Sequence, residues 1–197
     1  QSRSSAASDV YKRQDIGCGG GILSEAMSKK GAFVTGIDMA EKALNVAKLH
    51  QMESKTTVDY KLSTAEEISA SEKGNFDIVT CLEMLEHVPR PENIIKSCSE
   101  LVRPGGSVYF STINKNLKAF LYAIIGAEHL LKLLPVGTHE YSKFIKPSEI
   151  DAWARDVKLE LNDSVGLEYN PIFERYSLTK NLDVNYMMHF TKPASNE

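Results

Sequence analysis

The chain has 197 residues, of which 42% are hydrophobic, and its formal net charge is −3 at neutral pH. This length and composition are enough for one domain with a sizeable core. The slight acidic excess argues against nucleic acid as the main partner, because binding to a phosphate backbone needs a surplus of lysine and arginine. The scattered cysteines Cys18, Cys81 and Cys98 are typical of reduced thiols in a cytosolic protein. We find no apolar run of the ~18 residues that a membrane span needs, and no signal peptide.

The first residues do not resemble the buried strand that should precede a glycine-rich loop. Lys12, Arg13 and Gln14 stand where a central parallel strand is nearly continuously apolar. We therefore expect residues 1–14 to be a non-native or junction segment that replaces the true first strand, and residues 15–197 to form the domain. The alternative is a poor but real strand built on Val10 and Tyr11.

Helical and strand patterns alternate after the loop. Helical spacing covers 22–27, 43–49 and 91–103, and strands are expected over 33–37, 57–62, 76–82 and 108–112. This alternation indicates an α/β fold in which a parallel sheet is covered on both faces. Residues 159–169 and 183–191 predict two longer strands that form an antiparallel pair at the sheet edge.

The loop itself, DIGCGGGIL at residues 15–23, favours one ligand class. A ligand approaches the backbone most closely where no Cβ is present. The dinucleotide pattern GxGxxG does not fit, since its last position falls on Ile22 or Ser24. The spacing that fits is Gly17, Gly19 and Gly21, with Asp15 two residues earlier. That spacing is typical of proteins that bind S-adenosylmethionine (SAM).

Residues after the next two strands complete the predicted SAM site. Asp38 ends a strand about 20 residues after the loop, where a carboxylate can bind both ribose hydroxyls. Met39 follows it directly and is included in the site. Thr64 and Ala65 follow the third strand and are expected beside the adenine. A glycine-rich turn without any ligand is the alternative.

The segment CLEMLEHVPRPE carries Glu83, Glu86 and His87 at helical spacing i, i+3 and i+4. If the segment is helical, the three side chains share one face. Two carboxylates and an imidazole can hold a divalent metal with open positions for substrate oxygens. Alternatively, the same side chains shape the floor of a pocket that holds no metal.

At this point the chain resembles the ubiquinone-biosynthesis O-methyltransferase family. The resemblance rests on DIGCGGGILSEAM, VTGIDM, VTCLEMLEHVPRP, LVRPGGSVYFSTINKN, GAEHLLKLLPVGTHEYSKFIKPSEI and DVNYMMHF, and it covers nearly everything from Asp15 onward. It implies a class I (Rossmann-like) SAM-dependent methyltransferase fold. The sheet would be mostly parallel and seven-stranded, with an antiparallel edge hairpin and a helical insertion or lid at 114–150 after the fifth strand. The family's N-terminal helices and apolar first strand are not recognisable in this sequence.

The resemblance also implies a function and its residues. Family members methylate hydroxyls of polyprenylated phenol and catechol precursors of ubiquinone. They contact SAM at positions matching Gly17, Asp38 and Leu82, and their metal-binding members use a set matched by Glu83, Glu86 and His87. Mg²⁺ is therefore the candidate metal. A methyltransferase with another small-molecule or protein acceptor, and an inactive membrane-associated subunit of the quinone pathway, are the alternatives.

Methyl transfer to a phenol hydroxyl requires that the hydroxyl lose its proton. A phenol hydroxyl has a pKa near ~10, so it must be deprotonated or metal-bound to attack at neutral pH. Glu86, in the expected ligand set, and His139, in GTHEYSKF, are the catalytic candidates. His139 fits equally well as a surface residue of a connecting loop.

Residues 117–134, LKAFLYAIIGAEHLLKLL, are apolar with lysines at their edges. Such a helix can lie in a membrane interface, and it can also be a lid on the active site. We expect it to do both, and the resemblance implies binding to acidic lipids. The expected location is cytoplasmic, peripheral on the inner face of the bacterial plasma membrane, in contact with a quinone-biosynthesis complex.

Overall fold

The computed structural model describes residues 11–116, 119, 141–170 and 175–194. The helices in these ranges are α1 (Ile22–Lys29), α2 (Glu41–Ser54), α3 (Ala65–Ser71), α4 (Pro91–Leu101) and α5 (Pro147–Asp156). The strands are β1 (Lys12–Ile16), β2 (Phe33–Asp38), β3 (Val58–Leu62), β4 (Phe76–Leu82), β5 (Val102–Ile113), β6 (Glu160–Asn170), β7 (Arg175–Thr179) and β8 (Asn185–Thr191). Short 3₁₀ helices cover Leu85–His87 and Tyr141–Lys143.

The strands form one eight-stranded sheet in the order β3-β2-β1-β4-β5-β8-β6-β7. Strands β1 to β5 pair in parallel, whereas β8 lies antiparallel between β5 and β6. The predicted α/β class and mostly parallel sheet are confirmed. The expected count of seven strands is wrong, because β7 adds an eighth that pairs antiparallel with β6 and forms the edge.

Strand β1 corrects the expectation that the first strand is missing. It pairs with β2 on one side and β4 on the other, so it lies inside the sheet. Its backbone hydrogen bonds do not depend on side-chain polarity, which is why Lys12, Arg13 and Gln14 can form a strand. The polar composition remains costly, since Gln14 is fully buried and its Oε1 finds no hydrogen-bond partner. That residues 1–14 are a non-native junction stays a prediction.

Two buried clusters hold the helices on the sheet. The larger joins α3, α4 and α5 to strands that include β4, β5 and β8, with Phe110, Tyr186 and Phe190 fully buried. The smaller joins α1 and α2 to β2 and β3 around Leu44 and Tyr60. The strands are thus fixed from both faces, and the loops at their carboxyl ends are held at one edge of the sheet.

The boundary between α4 and β5 differs from the predicted one. The helix expected over 91–103 ends at Leu101, and Pro104-Gly105-Gly106 lies within β5 rather than closing the helix. The pairing of β4 with β5 is irregular between Phe76 and Ile78, which accommodates these residues. Helix α3 was not predicted, although Thr64 caps it through a reciprocal bond with Glu67.

The predicted insertion at 114–150 is only partly described. Residues 117–118 and 120–140, which include most of the apolar stretch 117–134 and His139, lie outside the described residues. The described part contains the 3₁₀ helix Tyr141–Lys143 and the first turn of α5. Among the helices of the described ranges, none combines the length and apolarity needed to cross a bilayer.

Candidate active site

The glycine loop between β1 and α1 has a backbone conformation that favours glycine. Gly17, Gly19 and Gly21 have φ values of 71°, 51° and 82°, in the left-handed region that favours glycine. A Cβ on Gly17 would lie 2.8 Å from Cγ of Met84, and a Cβ on Gly21 would overlap the Tyr60 hydroxyl. The loop therefore needs glycine both for its torsion angles and for its contacts.

Asp38 connects this loop to the end of β2. Its Oδ2 accepts a hydrogen bond from the Gly19 amide at 2.8 Å, and its Oδ1 accepts one from the Ala40 amide at 2.7 Å. The amides of Gly17 and Cys18 both donate to the Ile37 carbonyl at 2.9 Å. These bonds fix the carboxylate beside the loop, at the position from which the sequence predicted a contact to the ribose.

Asp15 lies behind the loop rather than at its surface. It is buried and accepts bonds from Ser24 Oγ at 2.6 Å and Thr80 Oγ1 at 2.9 Å. Burial raises the pKa of this carboxyl, although both hydroxyls favour its charged form. Asp15 thus joins β1 to α1 and β4, and supports the loop from below.

A cavity of about 730 Å³ opens beside the loop, at the carboxyl ends of β1, β2 and β4. The predicted SAM residues that line it are Gly17, Asp38, Met39, Thr64 and Ala65. Those that do not line it are Asp15, Gly19, Gly21 and Leu82. The cavity also has Glu83 and His87 in its wall, so predicted donor-binding and acceptor-side residues share one space.

The two glutamates after β4 are held by hydroxyls of β5. Ser111 Oγ donates to Glu83 Oε1 at 2.6 Å, and Thr112 Oγ1 donates to Glu86 Oε2 at 2.7 Å. Glu86 is buried at 4% exposure, whereas Glu83 is exposed at the cavity. The adjacent hydroxyls of one strand therefore fix two carboxylates in different surroundings.

The expected metal set is not assembled in this arrangement. Glu83 has a left-handed φ of 50°, and only Leu85–His87 is helical, as a 3₁₀ turn. The helical face that would unite Glu83, Glu86 and His87 is therefore absent. No group of three or more acidic, histidine or cysteine side chains in the described ranges is arranged to hold a metal ion. A divalent ion does not fit these three residues as they lie, and we derive no step through one.

Several cavity residues were not predicted from the sequence. Met84 packs against Gly17, while Arg90 and Asn93 line the cavity from the start of α4. The segment after His87 could have suggested Arg90 and Asn93, because it follows the carboxyl end of β4. Ser111 and Asn185 do not line the cavity but bond to Glu83, and no local sequence pattern indicated them.

These features together define the class of the protein. The sheet order, the left-handed glycine loop and the strand-end carboxylate are those of a class I SAM-dependent methyltransferase. Residues 14–110 match the family model described as a methyltransferase domain. The fold is similar to that of a SAM-dependent methyltransferase from Methanosarcina mazei, with a TM-score of 0.71, 20% identity and 94% of each chain covered. A magnesium protoporphyrin IX methyltransferase from Synechocystis with bound SAH gives a TM-score of 0.68 at 20% identity, over 93% of this chain and 74% of its own.

Sequence relatives identify the family within that class. The chain is 58% identical over 180 residues to the ubiquinone biosynthesis O-methyltransferase of Pseudomonas paraeruginosa, covering 91% of this chain and 78% of the relative. It is 55% identical over 179 residues to the protein of the same name in Hahella chejuensis, covering 91% and 75%. The chain belongs to the ubiquinone biosynthesis O-methyltransferase family.

Proposed function

We propose that the protein transfers the methyl group of SAM to a phenol or catechol hydroxyl of a polyprenylated ubiquinone precursor. The observation that carries this proposal is the shared cavity, which Gly17 and Asp38 line together with side chains that follow β4. The names of the sequence relatives support the pathway, and the fold supports the donor.

The residues present suit SAM at one side of the cavity. Asp38 would hold the ribose hydroxyls, Thr64 and Ala65 would border the adenine, and Gly17 would allow the rest of the molecule to approach the backbone. Met39, with 71% of its surface exposed, provides an apolar surface beside Asp38. When bound, SAM supplies a methyl group attached to a positively charged sulfur, which an oxygen nucleophile can attack.

The other side of the cavity must bind the acceptor and receive its proton. A carboxylate accepts hydrogen bonds from hydroxyls, and Glu83, which follows β4, is a carboxylate that lines the cavity. His87 lies in the same wall and provides a ring nitrogen. Glu86 and His139 remain proposed catalytic residues: Glu86 is buried behind the wall, and His139 lies outside the described residues. Positioning of the hydroxyl against the donor is where we expect most of the rate enhancement to arise.

The experiment that tests this function has two parts. Calorimetry measures binding of SAH (S-adenosylhomocysteine), and an assay with methyl-labelled SAM and a soluble catechol analogue measures transfer. We expect binding and transfer of label to the analogue. Absence of SAH binding would reject the donor, and binding without transfer to any catechol would reject the acceptor class. Parallel reactions with EDTA, and with Mg²⁺ added back, report whether a rearranged Glu83, Glu86 and His87 recruit a metal.

We further propose that residues 117–134 dock the protein on acidic lipids, because a polyprenyl substrate remains in the bilayer. The support is compositional: an apolar run with Lys115, Lys118 and Lys132 at its edges. The same segment would act as a lid within the proposed insertion 114–150. Deletion of 117–134 should abolish sedimentation with vesicles that contain phosphatidylglycerol. Unchanged sedimentation would reject membrane docking, and with it the proposed peripheral location near a quinone-biosynthesis complex.

A further inference from the structure

We propose that Ser111 and Asn185 are positioning residues that hold the Glu83 carboxylate at the cavity wall, so that it accepts a hydrogen bond from a hydroxyl of the acceptor. This inference rests on the proposed function, since it assigns the acceptor contact of the same site. It follows from the hydrogen bonds around Glu83 and from the conformation of its backbone.

Ser111 holds Glu83 through both the side chain and the backbone. Its hydroxyl lies 2.6 Å from Glu83 Oε1, and the Glu83 amide lies 3.0 Å from the Ser111 carbonyl and 3.2 Å from the Ser111 hydroxyl. Ser111 is buried at 6% exposure, and its strand β5 pairs with β4 up to the pair Leu82 and Ser111. The hydroxyl is therefore fixed by the sheet and has little freedom to release the carboxylate.

Asn185 reaches the same carboxylate from the other side of β5. Its Nδ2 donates to Glu83 Oε2 at 3.3 Å, and its Cα pairs with Ile113 in the ladder between β5 and β8. Each carboxylate oxygen of Glu83 thus accepts a bond from a different strand. Both oxygens of a carboxylate can accept hydrogen bonds, and these two bonds, one to each oxygen, orient the Glu83 carboxylate.

The backbone at Glu83 connects this carboxylate to the donor side of the cavity. Glu83 has a φ of 50°, and it is the cavity-lining non-glycine residue with a left-handed φ in the described ranges. Such a conformation is strained for a residue other than glycine and persists only where surrounding contacts enforce it. The turn directs Met84 toward Gly17, where a Cβ would meet the Met84 side chain at 2.8 Å. The turn at Glu83 therefore places the Met84 side chain against the glycine loop, and it directs the Glu83 carboxylate toward β5 and β8.

The experiment measures acceptor binding directly, so that it does not depend on turnover. 4-Methylcatechol is titrated by calorimetry into the chain saturated with SAH, and SAH is titrated separately. We expect S111A to weaken 4-methylcatechol binding about tenfold, because a hydrogen bond to a charged group is lost. We expect N185A to weaken it about threefold, since its bond is longer, and S111T to remain within about twofold of the unmodified chain.

The matched control is S107A, which lies on the same strand. Ser107 also has a side-chain partner, His189 at 3.0 Å, but that partner does not line the cavity, whereas Glu83, the partner of Ser111, does. S107A should leave 4-methylcatechol affinity within about twofold, and all four variants should retain SAH affinity.

Several results would overturn the inference. Unchanged 4-methylcatechol affinity in both S111A and N185A would show that the two residues do not position the carboxylate. Equal losses of SAH and 4-methylcatechol affinity would show general damage to the cavity, and S111T as weak as S111A would show a packing effect. If the unmodified chain binds SAH but no 4-methylcatechol, the acceptor class and this inference both fail. If it binds no SAH, the proposed function fails at its donor.

Discussion

Replacing Gln14 by methionine should stabilise the protein. Gln14 is fully buried in β1, next to the buried Val79 of β4 in the parallel ladder. Its Oε1 has no hydrogen-bond partner, and its Nε2 reaches only the Asp15 carbonyl at 3.4 Å, near the limit for such a bond. Methionine follows the same unbranched path, carries no strong polar group and leaves every backbone bond of β1 in place.

The magnitude follows from the cost of the unpaired amide. A buried acceptor without a partner costs about 1–3 kcal/mol, and burial of an apolar side chain in its place is favourable by a similar amount. Imperfect fit of the new side chain offsets part of this gain. We expect the free energy of unfolding of Gln14→Met to rise by about 2 kcal/mol, which corresponds to roughly 4–8 °C in Tm for a domain of this size.

Urea and thermal unfolding monitored by circular dichroism measure this change. Gln14→Glu should have the opposite effect, because it buries a carboxylate at the same position. Gln51→Met, the same change at a half-buried site of α2 whose Oε1 also lacks a partner, should give a smaller gain. A Gln14→Met variant no more stable than the unmodified chain would show that the amide is satisfied, and would refute the reasoning.

Three further changes test the site and its electrostatics. Asp38→Asn should weaken SAH binding at least tenfold, as measured by calorimetry. The control Asp59→Asn, on the neighbouring strand and outside the cavity, should leave SAH binding unchanged. Equal effects of the two changes would contradict the role of Asp38. Burial raises the pKa of Cys18 to about 12, so the free energy of unfolding should fall as pH rises from 9 toward 12. The fall should be less steep in Cys18→Ala. Parallel curves of unfolding free energy against pH for the two proteins would contradict this. Burial opposes ionisation of Asp77, but bonds from Arg103 at 2.6 Å and the Lys12 amide at 2.7 Å lower its pKa. Its stabilisation should therefore be present above pH ~4 and lost as pH falls through the lowered pKa, and Asp77→Asn should remove that dependence from acid unfolding curves.

Features encoded within a few residues were predictable from the sequence. The spacing of Gly17, Gly19 and Gly21 predicted a loop that a ligand can approach, and in the structure Gly17 lines the cavity. Strand β4 was expected over 76–82 and has those bounds, because a short apolar run between turn residues has few other structures available. Asp38 was placed at the cavity on the same basis, since it directly follows an apolar strand.

Features that depend on distant pairing were not predictable. Ser111 and Asn185 contact Glu83 across 28 and 102 residues of sequence, through the register of β5 with β4 and β8. The helical spacing of Glu83 and Glu86 suggested a common face, but the left-handed turn at Glu83 removes it. The polar composition of β1 concealed a strand whose partners, β2 and β4, supply its hydrogen bonds.

The position of β8 has a consequence for biosynthesis. A ribosome makes this strand after β5, β6 and β7, yet its hydrogen bonds join β5 to β6. Until Asn185–Thr191 emerges from the exit tunnel, a nascent chain carries two open strand edges and lacks the aromatic rings of Tyr186 and Phe190 in its interior. Translation stalled before Asn185 therefore leaves unpaired edges of β5 and β6 to which an extended segment of another chain can bind, so this half of the sheet is completed only when β8 has been made.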